Sequence, residues 1–290
     1  MKAPHRPLCR YYGGKWHLAP WIIAAMPVHR VYTESFAGAA SVLLRKPRAE
    51  VEVLSDLDLD VVWLLRVAAD PNFSQLLAGL ARFTPYERES VEKLAGICHT
   101  DFVNRALRAV IRGAMTRSAA IQRSNGRVAG FREDCGRARR DRLPSEDWST
   151  WPDAMPAFQA RLAGVEVLHQ PAVQTLIEND AEDAVHFVDP PYLPSARSAP
   201  EKGYAHDMSE SDHVDLLGVL RSLRGAVLLS GYDSDLYRDG LPGWRRLERV
   251  SIDAGGSRRV ESLWLNQAAA ARSPATAQSG LFDVAAEEAA

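Results

Sequence analysis

Asp189-Pro190-Pro191-Tyr192 is the densest concentration of chemistry in this 290-residue chain. The tetrapeptide follows the apolar run Val185-His186-Phe187-Val188, which reads as a buried strand. A carboxylate, two prolines and an aromatic ring therefore stand just past the carboxyl end of a strand, where open α/β sheets bind ligands. Such a cluster suits methyl transfer to the exocyclic amino group of a nucleic-acid base. That nitrogen is a poor nucleophile, because its lone pair is delocalised into the ring. Asp189 and the Pro190 carbonyl can only accept hydrogen bonds. Together they can hold both N–H bonds out of the ring plane and free the lone pair. Tyr192 can stack on the base. Proline fixes φ and removes a donor that would compete for the acceptors. The plain alternative is a strand-ending turn, since Asp and Pro are common there.

Three further segments could serve the same chemistry. Arg10-Tyr11-Tyr12-Gly13-Gly14-Lys15 is a glycine turn flanked by aromatics and a cation. It is not a nucleotide P-loop: Cys9 stands where the first Gly belongs, and Trp16 where Ser or Thr would bind magnesium. Val31-Tyr32-Thr33 reads as a strand, followed by the small-residue turn Glu34–Ser41 and a helical Val42-Leu43-Leu44. That order lets a ligand approach the backbone at a helix N-terminus. Val51–Ser55 reads as the next strand and ends at Asp56. An acidic residue about 20 positions after the small-residue turn can take a ribose diol. Asp58 and Asp60 read as caps for a helix over 61–69.

The elements that must position these residues alternate as strand and helix in two blocks. Trp16 to Met26 reads as a helix ended by Pro27. Alternation lapses at Asp70-Pro71 and resumes at Val165–Leu168, then helix 172–177 and the strand before Asp189. Residues 193–207 are rich in Pro, Ser and Ala and read as a loop over the site. Ser209 to Leu223 has helical spacing, with Ser209 as cap and Asp212 at the third helical position. Ala226–Ser230, Trp244–Val250 and Ser262–Asn266 read as three more strands, the last two around Gly255-Gly256. An α/β sheet built from residues 1–69 and 163–267 is expected, with a mainly helical insert at 70–162. From 268 to 290 the chain has little to bury and reads as a disordered tail.

Net charge is −2, but between Arg105 and Arg142 lie eleven arginines and three acids, a local balance of +8. This asymmetry suggests a nucleic-acid-facing surface, with Arg112, Arg117, Arg123 and Arg127 for phosphates and Asn125 in a loop that can reach bases. A solvated helical face with arginine stems covering apolar surface is the alternative. The N-terminus carries no hydrophobic stretch, no apolar run approaches ~18 residues, and Cys9, Cys98 and Cys135 form no CxxC pair. A reduced, cytoplasmic setting without membrane contact is expected. No HExxH or cysteine–histidine cluster suggests a metal.

The order of these motifs resembles the Dam-like, D12-class DNA adenine-N6 methyltransferases. The matching elements are the glycine turn with Lys15, Glu34-Ser35-Phe36-Ala37-Gly38, Asp56, a helical insert, Asp-Pro-Pro-Tyr and the closing Arg259-Val260-Glu261-Ser262-Leu263-Trp264-Leu265-Asn266. The resemblance implies a Rossmann-like methyltransferase sheet, S-adenosyl-L-methionine as methyl donor, no metal, and a flipped adenine of double-stranded DNA as acceptor. It places Tyr11, Tyr12 and Lys15 beside donor and base, Arg10 on DNA, and Glu34, Phe36 and Gly38 at the donor's methionine end. Asp56 would bind the ribose hydroxyls, and Gln170 would lie near the donor adenine. Asp189, Pro190, Pro191 and Tyr192 would hold the target base. The chain departs from the family at Ser35, usually Pro, and at Ala40, usually Gly. A cytosine-N4 or RNA-base acceptor, or a DNA-binding protein with a decayed donor site, are the rival readings. Gln278-Ser279-Gly280-Leu281-Phe282 resembles short peptides that dock on the bacterial sliding clamp.

Overall fold

The computed structural model describes residues 3–93, 101–117, 130–133, 143–193, 206–252 and 258–274. Seven strands among these residues form one sheet: β1 (Val31–Glu34), β2 (Val51–Ser55), β3 (Glu166–Leu168), β4 (Ala184–Val188), β5 (Ala226–Gly231), β6 (Arg245–Ile252) and β7 (Arg258–Leu265). Their order is β3-β2-β1-β4-β5-β7-β6. The strands from β3 to β5 pair in parallel, and β7 runs antiparallel between β5 and β6. The chain steps from β1 to β2 on one side and returns to β4 on the other. The switch point of the sheet is therefore between β1 and β4, where a doubly wound sheet opens a ligand crevice. Glu34 is paired with Phe187, so the segments after β1 and β4 emerge side by side. The fold is the expected α/β, Rossmann-like architecture.

Local chemistry explains the central strand. All five residues of β4 are buried, because both faces of the sheet's middle are covered and a strand there reads as a continuous apolar run. Val185, Phe187 and Val188 each contribute about 1.5–3 kcal/mol by leaving water. His186 is accommodated by bonds from its two ring nitrogens to Thr33 (2.7 Å) and Asp180 (3.3 Å). On one face lies helix α9 (Glu210–Ser222), started by the reciprocal Ser209–Asp212 capping box that the sequence signals.

The segment 70–162 carries α3 (Pro71–Arg82), α4 (Arg88–Glu92), α5 (Phe102–Met115), α6 (Pro144–Ser149) and α7 (Met155–Leu162). Its Leu77, Val110, Trp148 and Phe158 join the same apolar core as Val61 and Leu65 of α2 (Leu59–Ala69) and Leu54 and Phe187 of the sheet. Polar ties reinforce this. Arg161 of α7 grips Glu52 of β2 with two bonds (2.6 and 2.8 Å). Gly113 of α5 lies against the backbone of Arg10, where an added Cβ would stand 2.7 Å from the Arg10 carbonyl oxygen. The glycine turn and the arginine-rich helix are therefore in direct contact.

Several local expectations are corrected. The first helix, α1, spans only Ala19–Ala24, with Pro20 in its first turn. Residues 42–44 form no helix. Turns run from 41 to 46 with Leu44 N–H bonded to Ala40 O and Lys46 N–H to Val42 O, and Pro47 stops further winding. Ala40 takes φ +50°, a left-handed conformation that costs an L-residue roughly 1–2 kcal/mol. The final hairpin is longer than expected. A short helix, α11 (Gln267–Arg272), occupies the start of the stretch read as disordered. Asn266 caps it by accepting from Ala269 N–H (2.9 Å) while also accepting from Val227 N–H (3.0 Å) of β5, and its four alanines favour helix. The clamp-like Gln278–Phe282 lies outside the described residues. No helix among the described residues is long and apolar enough to cross a membrane.

Candidate active site

A cleft of about 440 Å³ opens over the carboxyl ends of β1, β2 and β4, a size within the range of small-molecule sites. Its wall combines the glycine turn, the segment 34–39, Asp56, the start of helix α8 (Ala172–Glu178), Asp189 with Pro191, and the beginning of α9.

The turn after β1 is built on Gly38. Its φ is +47°, and a Cβ there would lie 2.8 Å from the Tyr11 ring. Only glycine permits both the conformation and the approach of the ring. Gly38 N–H donates to Asp56 Oδ2 (2.8 Å), and Asp58 N–H donates to Asp56 Oδ1 (2.8 Å). The carboxylate thus fastens the β1 turn to the end of β2, and each oxygen keeps a lone pair for the cleft. Burial pushes the Asp56 carboxyl up to about 6, against the pull of those two N–H bonds. Glu34 is buried and accepts from Tyr32 O–H (3.0 Å) and Leu43 N–H (3.0 Å) on one oxygen. Burial pushes it up to about 8, and neighbouring Asp189 adds to the rise. Asp58, Asp212 and Asp215 also line the cleft, so its wall favours a cationic ligand.

Asp189 is held from one side only. Lys15 Nζ lies 2.9 Å from its Oδ2, donates to the Gly13 carbonyl (2.8 Å) and stands 4.8 Å from the centre of the Tyr192 ring. Asp189 Oδ1 is buried and has no hydrogen-bond partner among the described residues. A buried acceptor without a donor is costly, on the order of 1–3 kcal/mol, and marks a place where an incoming N–H would be welcome. Tyr192 is fixed by its hydroxyl, 3.1 Å from Ser230 Oγ and 3.0 Å from Glu261 Oε2. Tyr232 meets its ring edge-on at 4.7 Å.

The cleft brings together Tyr11, Tyr12, Lys15, Glu34, Phe36, Gly38, Asp56, Asp189 and Pro191. Pro190 is buried and does not line it. Gln170, expected near the donor adenine, is turned away: its amide donates to Thr175 (2.9 Å) and Glu178 (3.1 Å) along α8. Arg112, expected on phosphates, is also corrected. It is 9% exposed and points, with Arg105 and Arg108, at Asp60. These arginines are three and four residues apart, on one stripe of α5, and that stripe faces α2 rather than solvent. Asp60 is therefore their counter-ion, while Asp58 is the helix cap. Arg10 and Arg117 are exposed. Arg10 donates to the carbonyls of Thr116 (3.3 Å) and Arg117 (2.9 Å), joining the glycine turn to the end of α5. Arg123, Asn125 and Arg127 lie outside the described residues.

Sequence reasoning gave no role to Ser230 or Glu261 or to the lining residues Pro171, Asp212 and Asp215. For Asp212 the capping signal was visible and masked the second use. No group of three metal-ligating side chains occurs among the described residues.

Comparison with known proteins adds one match. Residues 11–121 fit the family described as D12 class N6 adenine-specific DNA methyltransferase. The match spans the glycine turn, the Gly38 turn, Asp56 and α5, while Asp189–Tyr192 lies beyond it. No curated protein matches the chain. Over residues 11–121 the chain is similar to the D12 class of N6 adenine-specific DNA methyltransferases.

Proposed function

We propose that the cleft holds S-adenosylmethionine and that Asp189 and Tyr192 hold an adenine swung out of double-stranded DNA. The observation carrying this reading is the unpartnered Asp189 Oδ1 at the switch point of the sheet, beside the Gly38 turn. The cleft suits the donor on three counts: its volume, the free lone pairs of Asp56 for a diol, and an acidic wall for a sulfonium and an amine. When bound, the donor supplies an electrophilic methyl group.

The residues then act as follows. Asp56 accepts from the ribose hydroxyls, and the Gly38 turn admits close backbone approach. Glu34, once ionised, attracts positive charge at the methionine end. Asp189 Oδ1 accepts one N–H of the target amino group and turns its lone pair towards the methyl. Lys15 on Oδ2 keeps the carboxylate from rotating. Tyr192 offers a stacking face, which offsets the few kcal/mol that extruding a base costs. Catalysis is then mainly positioning in a preorganised electrostatic setting. Exposed Arg10 and Arg117, bound to one another through the chain, supply cations for phosphates beside the cleft mouth.

The test is transfer of labelled methyl from S-adenosylmethionine to unmethylated bacterial DNA, with mass spectrometry of the nucleosides. N6-methyladenine is expected. N4-methylcytosine would overturn the acceptor, and absence of both product and donor binding would overturn the enzyme reading.

A further inference from the structure

We propose that Glu261 is a positioning residue for methyl transfer, acting through Tyr192; this rests on the reading of Tyr192 as the stacking platform for the target base. The antiparallel strand carries the inference. A parallel β7 would begin at the amino ends of its neighbours, but β7 runs the other way. Ser262 pairs with Gly231, the last residue of β5. Glu261, one residue earlier, therefore sits at the carboxyl end of the parallel strands, on the active side of the sheet. Its carboxylate reaches a tyrosine 69 positions away in the chain.

The hydrogen bonds have a direction. An ionised carboxylate only accepts, so the Tyr192 hydroxyl donates to Glu261. Ser230 Oγ, 3.1 Å away, then donates to the phenol oxygen. The ring is gripped at its far tip by a relay from Ser230 through Tyr192 to Glu261. Tyr232 supports its edge, and Lys15 approaches from the cleft. Bonds to an ionised acceptor are roughly twice as strong as neutral ones. A ring fixed in this way loses little freedom when a base stacks on it.

Four proteins test this: Tyr192→Phe, Glu261→Ala, Glu261→Gln and the double variant Tyr192→Phe/Glu261→Ala. Each is measured for kcat and KM on DNA, and for S-adenosylmethionine affinity by calorimetry. Tyr192→Phe and Glu261→Ala should each lower kcat by roughly tenfold, the size of losing one charge-assisted hydrogen bond. Donor affinity should stay unchanged, which also certifies the fold of the cleft. The double variant should be no slower than either single one, and Glu261→Gln, which keeps an acceptor, should regain most of the rate. Additive losses in the double variant, or wild-type kcat in Glu261→Ala, would overturn the proposal while leaving the methyltransferase reading intact. A wild-type chain that methylates no DNA would remove that reading, and the role of Glu261 with it.

Discussion

Asp60 and Asp189 both hold cations, and they do so in opposite ways. Asp60 is 3% exposed and takes three guanidiniums, from Arg105, Arg108 and Arg112, all on α5. Asp189 takes one ammonium, from Lys15, and keeps a buried oxygen without a partner. The first arrangement is saturated and joins α5 to α2. The second is unfinished and faces a cleft. Charge pairing alone therefore says nothing about function; what separates an anchor from a reactive group is the acceptor capacity left over. A saturated carboxylate is inert, whereas one with a vacant, desolvated oxygen stores a cost that a ligand can relieve.

The comparison breaks most visibly at Asp60. Asp60→Ala leaves three guanidiniums clustered without their counter-charge and should cost about 3–5 kcal/mol in urea unfolding. If its midpoint stays at the wild-type value, the anchor reading fails. Less costly to the fold but specific to the cleft is Gly38→Ala. The new methyl group would collide with the Tyr11 ring at a backbone angle that disfavours it. Donor affinity measured by calorimetry should fall at least tenfold, about 1.4 kcal/mol, with the DNA-free fold retained.

The pH dependence sharpens the contrast further. Glu34 is raised from 4.5 to about 8 in the folded chain. The native state therefore holds a proton that the unfolded chain has already released. That contribution to stability is present below about 4.5 and lost as pH rises towards 8. Urea midpoints should fall as pH rises from about 4.5 to about 8 and level off above that, and Glu34→Gln should flatten that slope. An equally steep slope in the variant would assign it elsewhere. The smallest effect is expected at Ala40. Ala40→Gly relieves the left-handed strain at φ +50° and should raise stability by about 0.5–1 kcal/mol, read as a shifted urea midpoint with unchanged slope.

The same contrast explains what the sequence could and could not convey. The strand before Asp189 was legible because a central strand must be apolar throughout, and Val185–Val188 is. The glycine turn, the Gly38 turn and Asp56 were legible because their backbone demands are local. Arg112 was not: a local balance of +8 records charge but not which face of α5 turns inward, and three of those arginines face Asp60. Their spacing along one helix stripe was the available signal. Gln170 was misplaced because its amide finds partners on the helix that follows it, Thr175 and Glu178. The missing helix after Gly38 reflects an Ala in a left-handed turn, a tertiary demand that helix propensity does not register. Glu261 was visible only as part of the closing Arg259–Asn266 element, with no role of its own, since only the antiparallel insertion of β7 carries it to the active side of the sheet.

The most direct measurement is single-turnover methyl transfer by Asp189→Asn beside wild type, with donor binding measured on both. Asparagine keeps the shape but replaces one acceptor with a donor, which would face the target N–H. The variant is expected to bind S-adenosylmethionine as wild type does and to lose at least about 10³-fold in rate, roughly 4 kcal/mol of transition-state stabilisation. N6-methyladenine formed at a near wild-type rate by Asp189→Asn would contradict the role of the vacant carboxylate oxygen.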